Sequence, residues 1–557
     1  MIERRLTEWL LEGVRAAAPE LGLGDDLPEP ALLVPKQRGH GDFATNVAMA
    51  LARPAGRSPR EVAEAIVARL PAASFVERVE VAGPGFVNVW VRDDWLFDAL
   101  RAIAAEGAAY GRAEASGRRA QVEFVSANPT GPLTLGHARN AAIGDALARL
   151  LDFTGWEVER EYYFNDAGGQ MDRFGSSVEA RYLGLLGHDA EPPEDGYHGE
   201  YVEELAREIL DERGAGLADL PPDERLVALR DEGARRVLAG IEASLRRFGV
   251  RFDTYVSEAD LAGRGEIDEA IRRLRETGHV YELEGASWFR STEFGDDKDR
   301  VVVRSNGLHT YFGADCAYLL DKFARGFDLL VYVLGADHHG DVARLTGAAT
   351  ALGFDAERME IVLYQWVSFL RGGEPVPMSK RAGTFVTLDE LIDEVGADAA
   401  RFHLLMFSGD HAVRFDLEEV ARRSLDNPVY YVQYGHARIA SILRTAAERG
   451  VSMRPIGEVD LALLGHEAET ELLRALAEAP AKFAEAADLR APHRLTHLAQ
   501  DVAARFHRFY TDCRVVSDDA ELTQARLWLC AGAKQVLAIL LELLGVSAPE
   551  RMERDDA

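Results

Sequence analysis

The chain has 557 residues, of which 47% are hydrophobic and 28% charged, and its formal net charge at pH 7 is −30. This composition is typical of a soluble globular protein, and the length predicts roughly three to four domains with a large core. The negative charge excludes a general polyanion binder, because such binding needs Lys and Arg to neutralise phosphates. The negative charge is still compatible with a single nucleic acid of defined shape that binds to a local basic surface.

The cysteines and the apolar segments indicate the cellular compartment in which the protein is expected. Cys316, Cys513 and Cys530 form no C-x-x-C pair and are too few for a disulfide framework, which favours a reducing compartment. The N-terminal residues include acids and lack the apolar core of a signal peptide. The most apolar late stretch, 527–546, contains Lys534 and Glu542, so a buried helix explains it better than a membrane span. We expect a cytoplasmic protein that binds neither membrane nor DNA.

The first hundred residues predict a small α+β domain, which we bound at 1–110. Ser58, Pro59 and Glu61 form a capping box with Pro at the first helical position, so a helix should run to about Leu70. The segment 76–91 predicts two strands around a Gly-Pro-Gly turn, and 107–119 is a Gly/Ala/Arg-rich linker. An N-terminal helix is indicated by apolar residues at helical spacing: Ile2, Leu6, Trp9, Leu10 and Val14.

From residue 121 the pattern changes to strand (121–127), Gly/Pro loop (128–136) and helix (137–155), the opening of a doubly wound α/β domain. Further apolar strands are predicted at 327–336 and 361–370, with an acidic, mostly helical insertion near 170–275. After about 416 the pattern is helical, with one break at Asn427-Pro428. The predicted class is therefore multidomain α/β: the N-terminal domain, a Rossmann-like parallel-sheet domain (111–415) and an all-α bundle (416–557).

Two short segments carry candidate chemistry. Thr134-Leu135-Gly136-His137 lies where the first strand gives way to its helix, and a helix N-terminus presents free N–H groups to a phosphate. Taken alone, this tetrapeptide is more simply a generic turn with a surface histidine.

The second segment, 372–383, is a Gly/Pro-flanked loop that contains Lys380. The chain uses Arg at nearly all basic positions, so a retained lysine suits a compact charge on phosphate oxygens. Taken alone, this segment is more simply a solvated basic turn.

Together the two segments resemble the HIGH and KMSKS signatures of class I aminoacyl-tRNA synthetases. Further blocks narrow the resemblance to the arginyl-tRNA synthetase family and extend it over essentially the whole chain. These blocks are 35–53, 79–89, 122–132, 161–175, 305–315, 332–341, 378–391, 426–439 and 544–552. The chain departs from the signatures at Thr134 and Pro377, which replace the first His of HIGH and the first Lys of KMSKS.

The resemblance implies an ATP-dependent ligase that forms arginyl-adenylate and transfers arginine to the 3′ adenosine of tRNA(Arg). Catalysis would rest on positioning and on stabilising charge at the phosphates, with His137 and Lys380 as catalytic residues. ATP would arrive with Mg²⁺, without a structural metal. The residues implied for ATP binding are Thr134, Gly136, His137, Met378, Ser379, Lys380 and Arg381.

The resemblance also implies an arginine pocket, because a guanidinium fork needs fixed acceptors. Tyr311 and Asp315 are four apart on a predicted helix and share a face, and Asp315 is the expected guanidinium partner. Glu123 and Asn128 are expected at the α-amino end, and Ser126 and His338 complete the set. Without the family match, Glu123 and Asp315 would be read as surface acids. Asp337-His338-His339 could suggest a metal site, but adjacent histidines usually point apart and no cysteine cluster assists them.

For tRNA, the resemblance implies anticodon contacts on the C-terminal bundle at Tyr431, Tyr434 and Arg438, since aromatic side chains stack on unpaired bases. About half of the tyrosines there should instead be bundle core. Phe86 and Asn88 match positions that touch the tRNA elbow, and a monomer is expected. Two alternatives stay open: a synthetase for another amino acid, and a catalytically silent paralogue that binds tRNA without charging it.

Overall fold

A computed structural model describes residues 2–35, 38–376 and 386–552. The helices are α1 Ile2–Leu21, α2 Val47–Ala55, α3 Pro59–Val67, α4 Asp94–Glu106, α5 Leu135–Phe153, α6 Gly169–Leu185, α7 Glu200–Arg213, α8 Pro222–Arg247, α9 Glu258–Gly263, α10 Glu266–Glu276, α11 Tyr311–Ala324, α12 His339–Ala351, α13 Leu388–Val395, α14 Ala397–Leu405, α15 Leu417–Ala421, α16 Pro428–Glu448, α17 Glu467–Asp488, α18 His493–Asp512 and α19 Ala520–Leu543. The strands are β1 Leu32–Leu33, β2 Phe43–Thr45, β3 Val76–Ala82, β4 Phe86–Val91, β5 Arg119–Glu123, β6 Glu157–Phe164, β7 Thr254–Ser257, β8 Val280–Leu283, β9 Ala286–Phe289, β10 Arg300–Val303, β11 Leu329–Gly335, β12 Met359–Tyr364, β13 Val367–Arg371, β14 Glu374–Pro375 and β15 Val413–Asp416.

The chain packs into two compact units. One contains residues 1–107, 445–477 and 508–533, and the other contains 108–444, 478–507 and 534–557. Helices α17, α18 and α19 each contribute residues to both. These units group residues by packing, and the three domain boundaries drawn from the sequence remain a prediction.

The N-terminal residues form the expected α+β structure. The apolar residues predicted for the first helix are buried on α1. The capping box is present, because the Ser58 backbone N–H donates to Glu61 Oε2 at 2.9 Å and the Glu61 N–H donates to Ser58 Oγ at 3.3 Å. Helix α3 ends at Val67, three residues before the predicted end. The predicted hairpin is confirmed as β3 and β4, within an antiparallel sheet of order β1-β2-β4-β3.

The second unit is built on a parallel sheet of order β12-β11-β5-β6-β7. The chain runs outward from β5 through β6 to β7, then returns to the other side of β5 for β11 and β12. This reversal confirms the doubly wound class and creates a switch point between β5 and β11, where ligands of such sheets bind. Helices α6 to α10 confirm the mostly helical character predicted near 170–275.

The prediction of a single strand at 361–370 is wrong. This segment is two strands in different sheets, because β12 ends at Tyr364 and β13 begins at Val367 in a sheet of order β14-β13-β15. The backbone turns at Gln365, whose N–H donates to the Gly409 carbonyl at 2.7 Å and whose carbonyl accepts Arg139 Nη1 at 2.6 Å. Both partners are distant in sequence, so the apolar run alone cannot reveal the break.

The C-terminal part is helical from α15 onward, as predicted. The break at Asn427-Pro428 is confirmed, since α16 begins at Pro428 and Asn427 Nδ2 donates to the carbonyls of Val420 and Arg422 at 2.9 and 2.8 Å. No helix within residues 2–35, 38–376 and 386–552 has the length and apolar character needed to cross a membrane.

Candidate active site

A cavity of about 710 Å³ opens at the carboxyl ends of the strands around the switch point. Residues at the ends of β5, β6, β11 and β12 contribute to its wall. The structure therefore brings together two sets of predicted residues, those for ATP and those for arginine. The predicted residues that line the cavity are Glu123, Ser126, Thr134, Gly136, His137, Tyr311, Asp315 and His338.

The loop after β5 is strained where it meets this cavity. Val125 and Ser126 have φ values of 67° and 44°, a left-handed conformation that is costly for a β-branched residue. The loop is held by Asn140 on α5, whose Oδ1 accepts the Val125 N–H at 2.6 Å while its Nδ2 donates to the Val333 carbonyl at 2.9 Å. Asn140 thus fixes β5, α5 and β11 together at the site. No sequence pattern indicated this role.

His137 is oriented by the first turn of its helix. Its Nδ1 accepts the Thr134 backbone N–H at 3.0 Å, and the Thr134 hydroxyl lies 3.1 Å from the same nitrogen. A ring nitrogen that accepts a hydrogen bond is unprotonated, so the neutral imidazole carries its proton on Nε2 and can donate it to a phosphate oxygen. Thr134 therefore serves as the helix N-cap and sets the tautomer of His137.

The residues that follow the second signature pair with the residues of the first. The Leu135 N–H donates to the Val386 carbonyl at 3.1 Å, and the Leu388 N–H donates to the Leu133 carbonyl at 2.8 Å. On the other side, β14 leads into the same segment after pairing with β13. Residues 377–385 lie outside the described residues, and with them Met378, Ser379, Lys380, Arg381 and the departure Pro377. The residues that follow this segment, Val386 to Leu388, lie against the N-terminus of α5.

Asp315 is the most distinctive acid of the cavity. It lies in the first turns of α11 together with Tyr311, which is 58% exposed. Within the described residues, no hydrogen-bond donor or ion-pair partner approaches the Asp315 carboxylate. Burial raises the pKa of Asp315 to about 7, against a smaller lowering effect of Arg344. The carboxylate is thus placed to accept a cation.

Glu123 differs from Asp315, because both of its oxygens are already engaged. Oε2 accepts Lys322 Nζ at 2.5 Å, and Oε1 accepts the Ser126 hydroxyl at 2.9 Å. A carboxylate has about four acceptor sites, so Glu123 can still accept a substrate donor. Lys322 was not predicted for the site. The rarity of lysine in this chain, used above for Lys380, was the available signal.

His338 is placed by its neighbour on the next turn. Its Nδ1 lies 2.8 Å from Asp341 Oδ2, and this hydrogen bond raises the pKa of His338. Asp341 also pairs with Arg344, and both line the cavity without having been predicted. Within the described residues, no group of three or more His, Cys, Asp or Glu side chains is arranged to hold a metal ion.

Asn128 lies outside the main cavity. Its Nδ2 donates to Gln170 Oε1 at 2.7 Å and its Oδ1 accepts the Asn165 N–H at 3.0 Å. It lines a smaller cavity of about 150 Å³, which His137 also borders. The amide therefore ties the loop that precedes α5 to the β6–α6 loop and to α6.

The predicted tRNA contacts fall on two surfaces. Tyr431, Tyr434 and Arg438 are half-buried on α16, and the two tyrosine rings lie 4.7 and 6.0 Å from the His507 ring. Tyr430, on the same helix, is buried core. In the N-terminal sheet, Phe86 is half-buried and Asn88 is buried on β4.

Three family models match the chain. They are the arginyl tRNA synthetase N terminal domain (residues 8–91), the catalytic domain of tRNA synthetases class I (R) (99–181 and 232–412) and the DALR anticodon binding domain (432–552). The catalytic model leaves 182–231 unmatched, a range that contains the end of α6, all of α7 and the start of α8.

Relatives agree over the full length. The chain is 48% identical to the arginine–tRNA ligase of Heliobacterium modesticaldum and 49% identical to that of Moorella thermoacetica, with 99% of each chain covered in both cases. The arginyl-tRNA synthetase structure of Thermus thermophilus is 26% identical, with a TM-score of 0.76 over 99% of this chain and 100% of that one. A methionyl-tRNA synthetase of Mycobacterium tuberculosis shares the fold, with a TM-score of 0.54 at 14% identity over 77% of this chain and 91% of that one. The chain therefore belongs to the arginyl-tRNA synthetase family of class I aminoacyl-tRNA ligases.

Proposed function

We propose that this protein activates arginine with Mg²⁺-ATP and transfers it to the 3′ adenosine of tRNA(Arg). In the first step an arginine carboxylate oxygen attacks the α-phosphorus of ATP and pyrophosphate leaves. In the second, the ribose 2′-hydroxyl attacks the adenylate carbonyl and AMP leaves. The observation that carries the proposal is the Asp315 carboxylate, which has no partner among the described residues and lies in the same cavity as the helix N-terminus that bears His137.

The nucleotide end of the site is the first turn of α5. The partial positive charge at this end of the helix favours phosphate, and His137 Nε2 adds a donor. Gly136 has room beside it, since the nearest atom to an added Cβ would be Thr134 Oγ1 at 3.6 Å. Lys380, with Met378, Ser379 and Arg381, is proposed to approach the same phosphates. Each of these groups stabilises charge that develops on the phosphate oxygens.

The arginine end is proposed to be divided between two carboxylates. Asp315 accepts the guanidinium with Tyr311 beside it, and Glu123 accepts the α-ammonium, with Ser126 holding Glu123 in place. His338 borders this end of the cavity, and Asn128 acts through the loop that carries Ser126. The α-carboxylate then faces the nucleotide, as the first step requires.

For tRNA, we propose that residues 1–110 bind the elbow through Phe86 and Asn88, that 111–415 catalyse, and that 416–557 read the anticodon through Tyr431, Tyr434 and Arg438. The half-buried state of the three α16 residues supports their role, since each has an exposed edge for a base or phosphate. We further propose a cytoplasmic monomer.

Arginine-dependent exchange of pyrophosphate into ATP, with tRNA present, tests this proposal. Citrulline is a matched control, because it has the shape of arginine with a neutral urea in place of the guanidinium. The proposal predicts exchange with arginine and none above background with citrulline, since Asp315 would lose its charged partner. Equal exchange with both would remove Asp315 from its proposed role, and exchange with neither would favour a silent paralogue.

A further inference from the structure

Helix α11 carries a stripe of residues that leads from the cavity into the core. Tyr311, Asp315, Tyr318 and Lys322 are spaced four, three and four apart, so they share one face of the helix. The first three line the cavity, and Lys322 lies behind them with a side chain that is 0% exposed.

The ammonium group of Lys322 is surrounded by acceptors. Nζ lies 2.5 Å from Glu123 Oε2 and 4.0 Å from Glu161 Oε1. It also lies 3.8 Å from the ring centroid of Tyr332 and 4.3 Å from that of Tyr318. A buried charge without a partner is strongly unfavourable, so these contacts fix the ammonium and, through it, the Glu123 carboxylate.

The consequence is an unequal pair of acids in one cavity. Lys322 compensates the charge of Glu123, and the Ser126 hydroxyl at 2.9 Å holds its second oxygen. Asp315, seven residues before Lys322 on α11, has no such partner within the described residues. Arginine presents two positive groups, an α-ammonium and a guanidinium. Two equivalent free carboxylates could bind it in either direction, and only one direction brings its carboxylate to the nucleotide.

We propose that Lys322 is a positioning residue that makes the two carboxylates unequal and thereby fixes the direction in which arginine binds. This inference rests on the proposed function. The guanidinium pairs with Asp315, which carries the uncompensated charge. Glu123, already neutralised and held at both oxygens, offers its remaining acceptor sites to the α-ammonium. Lys322 touches no substrate and acts only through Glu123.

Lys322→Met tests the proposal, because it removes the ammonium and keeps most of the side-chain volume. In arginine-dependent pyrophosphate exchange with tRNA present, we expect kcat/KM for arginine to fall by about tenfold to hundredfold, since a misplacement of about 1 Å can cost that much. The KM for ATP should stay within about twofold, because the nucleotide end is untouched. Lys482→Met is a matched control. It removes an exposed pair with Glu478 at 3.2 Å and should change neither value.

If Lys322→Met fails to fold, Lys322→Met with Glu161→Gln keeps the buried net charge unchanged and should show the same loss for arginine. Folding is followed by circular dichroism. A folded variant with wild-type kcat/KM for arginine would overturn the proposal, and so would an equal rise in the KM values for arginine and ATP. Failure of the wild-type protein to use arginine would instead overturn the proposed function.

Discussion

Replacing Asp315 by Asn removes the charge that we propose binds the guanidinium of arginine. Burial raises the pKa of this carboxyl from 3.8 to about 7. Since one pKa unit corresponds to about 1.4 kcal/mol, ionising Asp315 in the unliganded protein costs roughly 4 kcal/mol. A guanidinium in the cavity would offset that cost.

The sign of the effect on stability follows from the raised pKa. The folded state holds the Asp315 proton more tightly than the unfolded state, so the contribution of this group falls as pH rises from about 4 to about 7. Asp315→Asn should therefore stabilise the unliganded protein at pH 8, by at most about 4 kcal/mol, and much less at pH 5. Urea midpoints of the two proteins at both pH values measure this. A lower midpoint for the variant at pH 8 would contradict the assignment.

Arginine binding should show the opposite response. Between pH 6 and pH 8 the ionised fraction of Asp315 rises from about a tenth to about nine tenths, so the wild-type Kd for arginine should tighten about tenfold. Asp315→Asn should weaken binding by roughly 2–5 kcal/mol and abolish this pH dependence, because the guanidinium loses its charged partner. Calorimetric titration of arginine at both pH values is the assay. A Kd that is unchanged in the variant, or a pH dependence that survives in it, would refute the reasoning.

Four further variants test other residues of the site and of the core. Lys380→Ala should lower the rate of adenylate formation far more than tRNA affinity; rapid-quench assays and filter binding compare the two, and equal losses would contradict its phosphate role. Gly136→Ala should fold normally yet raise the KM for ATP, since an added Cβ has space within the protein but would obstruct the nucleotide. Gly144→Ala should instead destabilise the protein by about 1–3 kcal/mol, because its Cβ would lie 2.2 Å from the Phe124 side chain. Pyrophosphate exchange and thermal melting compare the two variants. A Gly136→Ala protein that is destabilised but keeps the wild-type KM for ATP would count against the nucleotide site. Arg401→Met should cost about 3–5 kcal/mol in urea unfolding, because it breaks the buried ion pair with Asp145 at 2.5 Å and removes the donor to the Leu544 and Phe248 carbonyls. A loss below about 1 kcal/mol would argue against that pairing.

Local patterns were enough to predict much of the fold. The capping box at Ser58, the helical spacing on α1 and the break before Pro428 each depend on residues close together in sequence, and each is confirmed. The strand-loop-helix opening at β5 and α5 predicted the doubly wound sheet in the same way.

Features that depend on distant partners escaped prediction. The turn at Gln365 is fixed by Arg139 and Gly409, which are distant from it in the sequence. The left-handed backbone at Val125 contradicts the local preference of a β-branched residue, and it persists because Asn140 holds the loop. Such conflicts between local preference and structure are expected at functional sites.

The candidate site shows the same contrast between features that local sequence predicts and features that depend on distant contacts. The family resemblance supplied both Asp315 and Glu123, but only the structure distinguishes the carboxylate that has no partner among the described residues from the one engaged by Lys322. Composition, charge and spacing could not express that difference, because it arises from a contact between β5 and α11.

Charging of total tRNA with each of the twenty labelled amino acids, in the presence of Mg²⁺-ATP, tests the central claim most directly. The account predicts that arginine alone becomes attached to tRNA, which would also show that Thr134 and Pro377 are compatible with catalysis. Charging with a different amino acid would contradict the pocket built on Asp315. Absence of charging by folded protein that binds tRNA would contradict the proposed ligase activity.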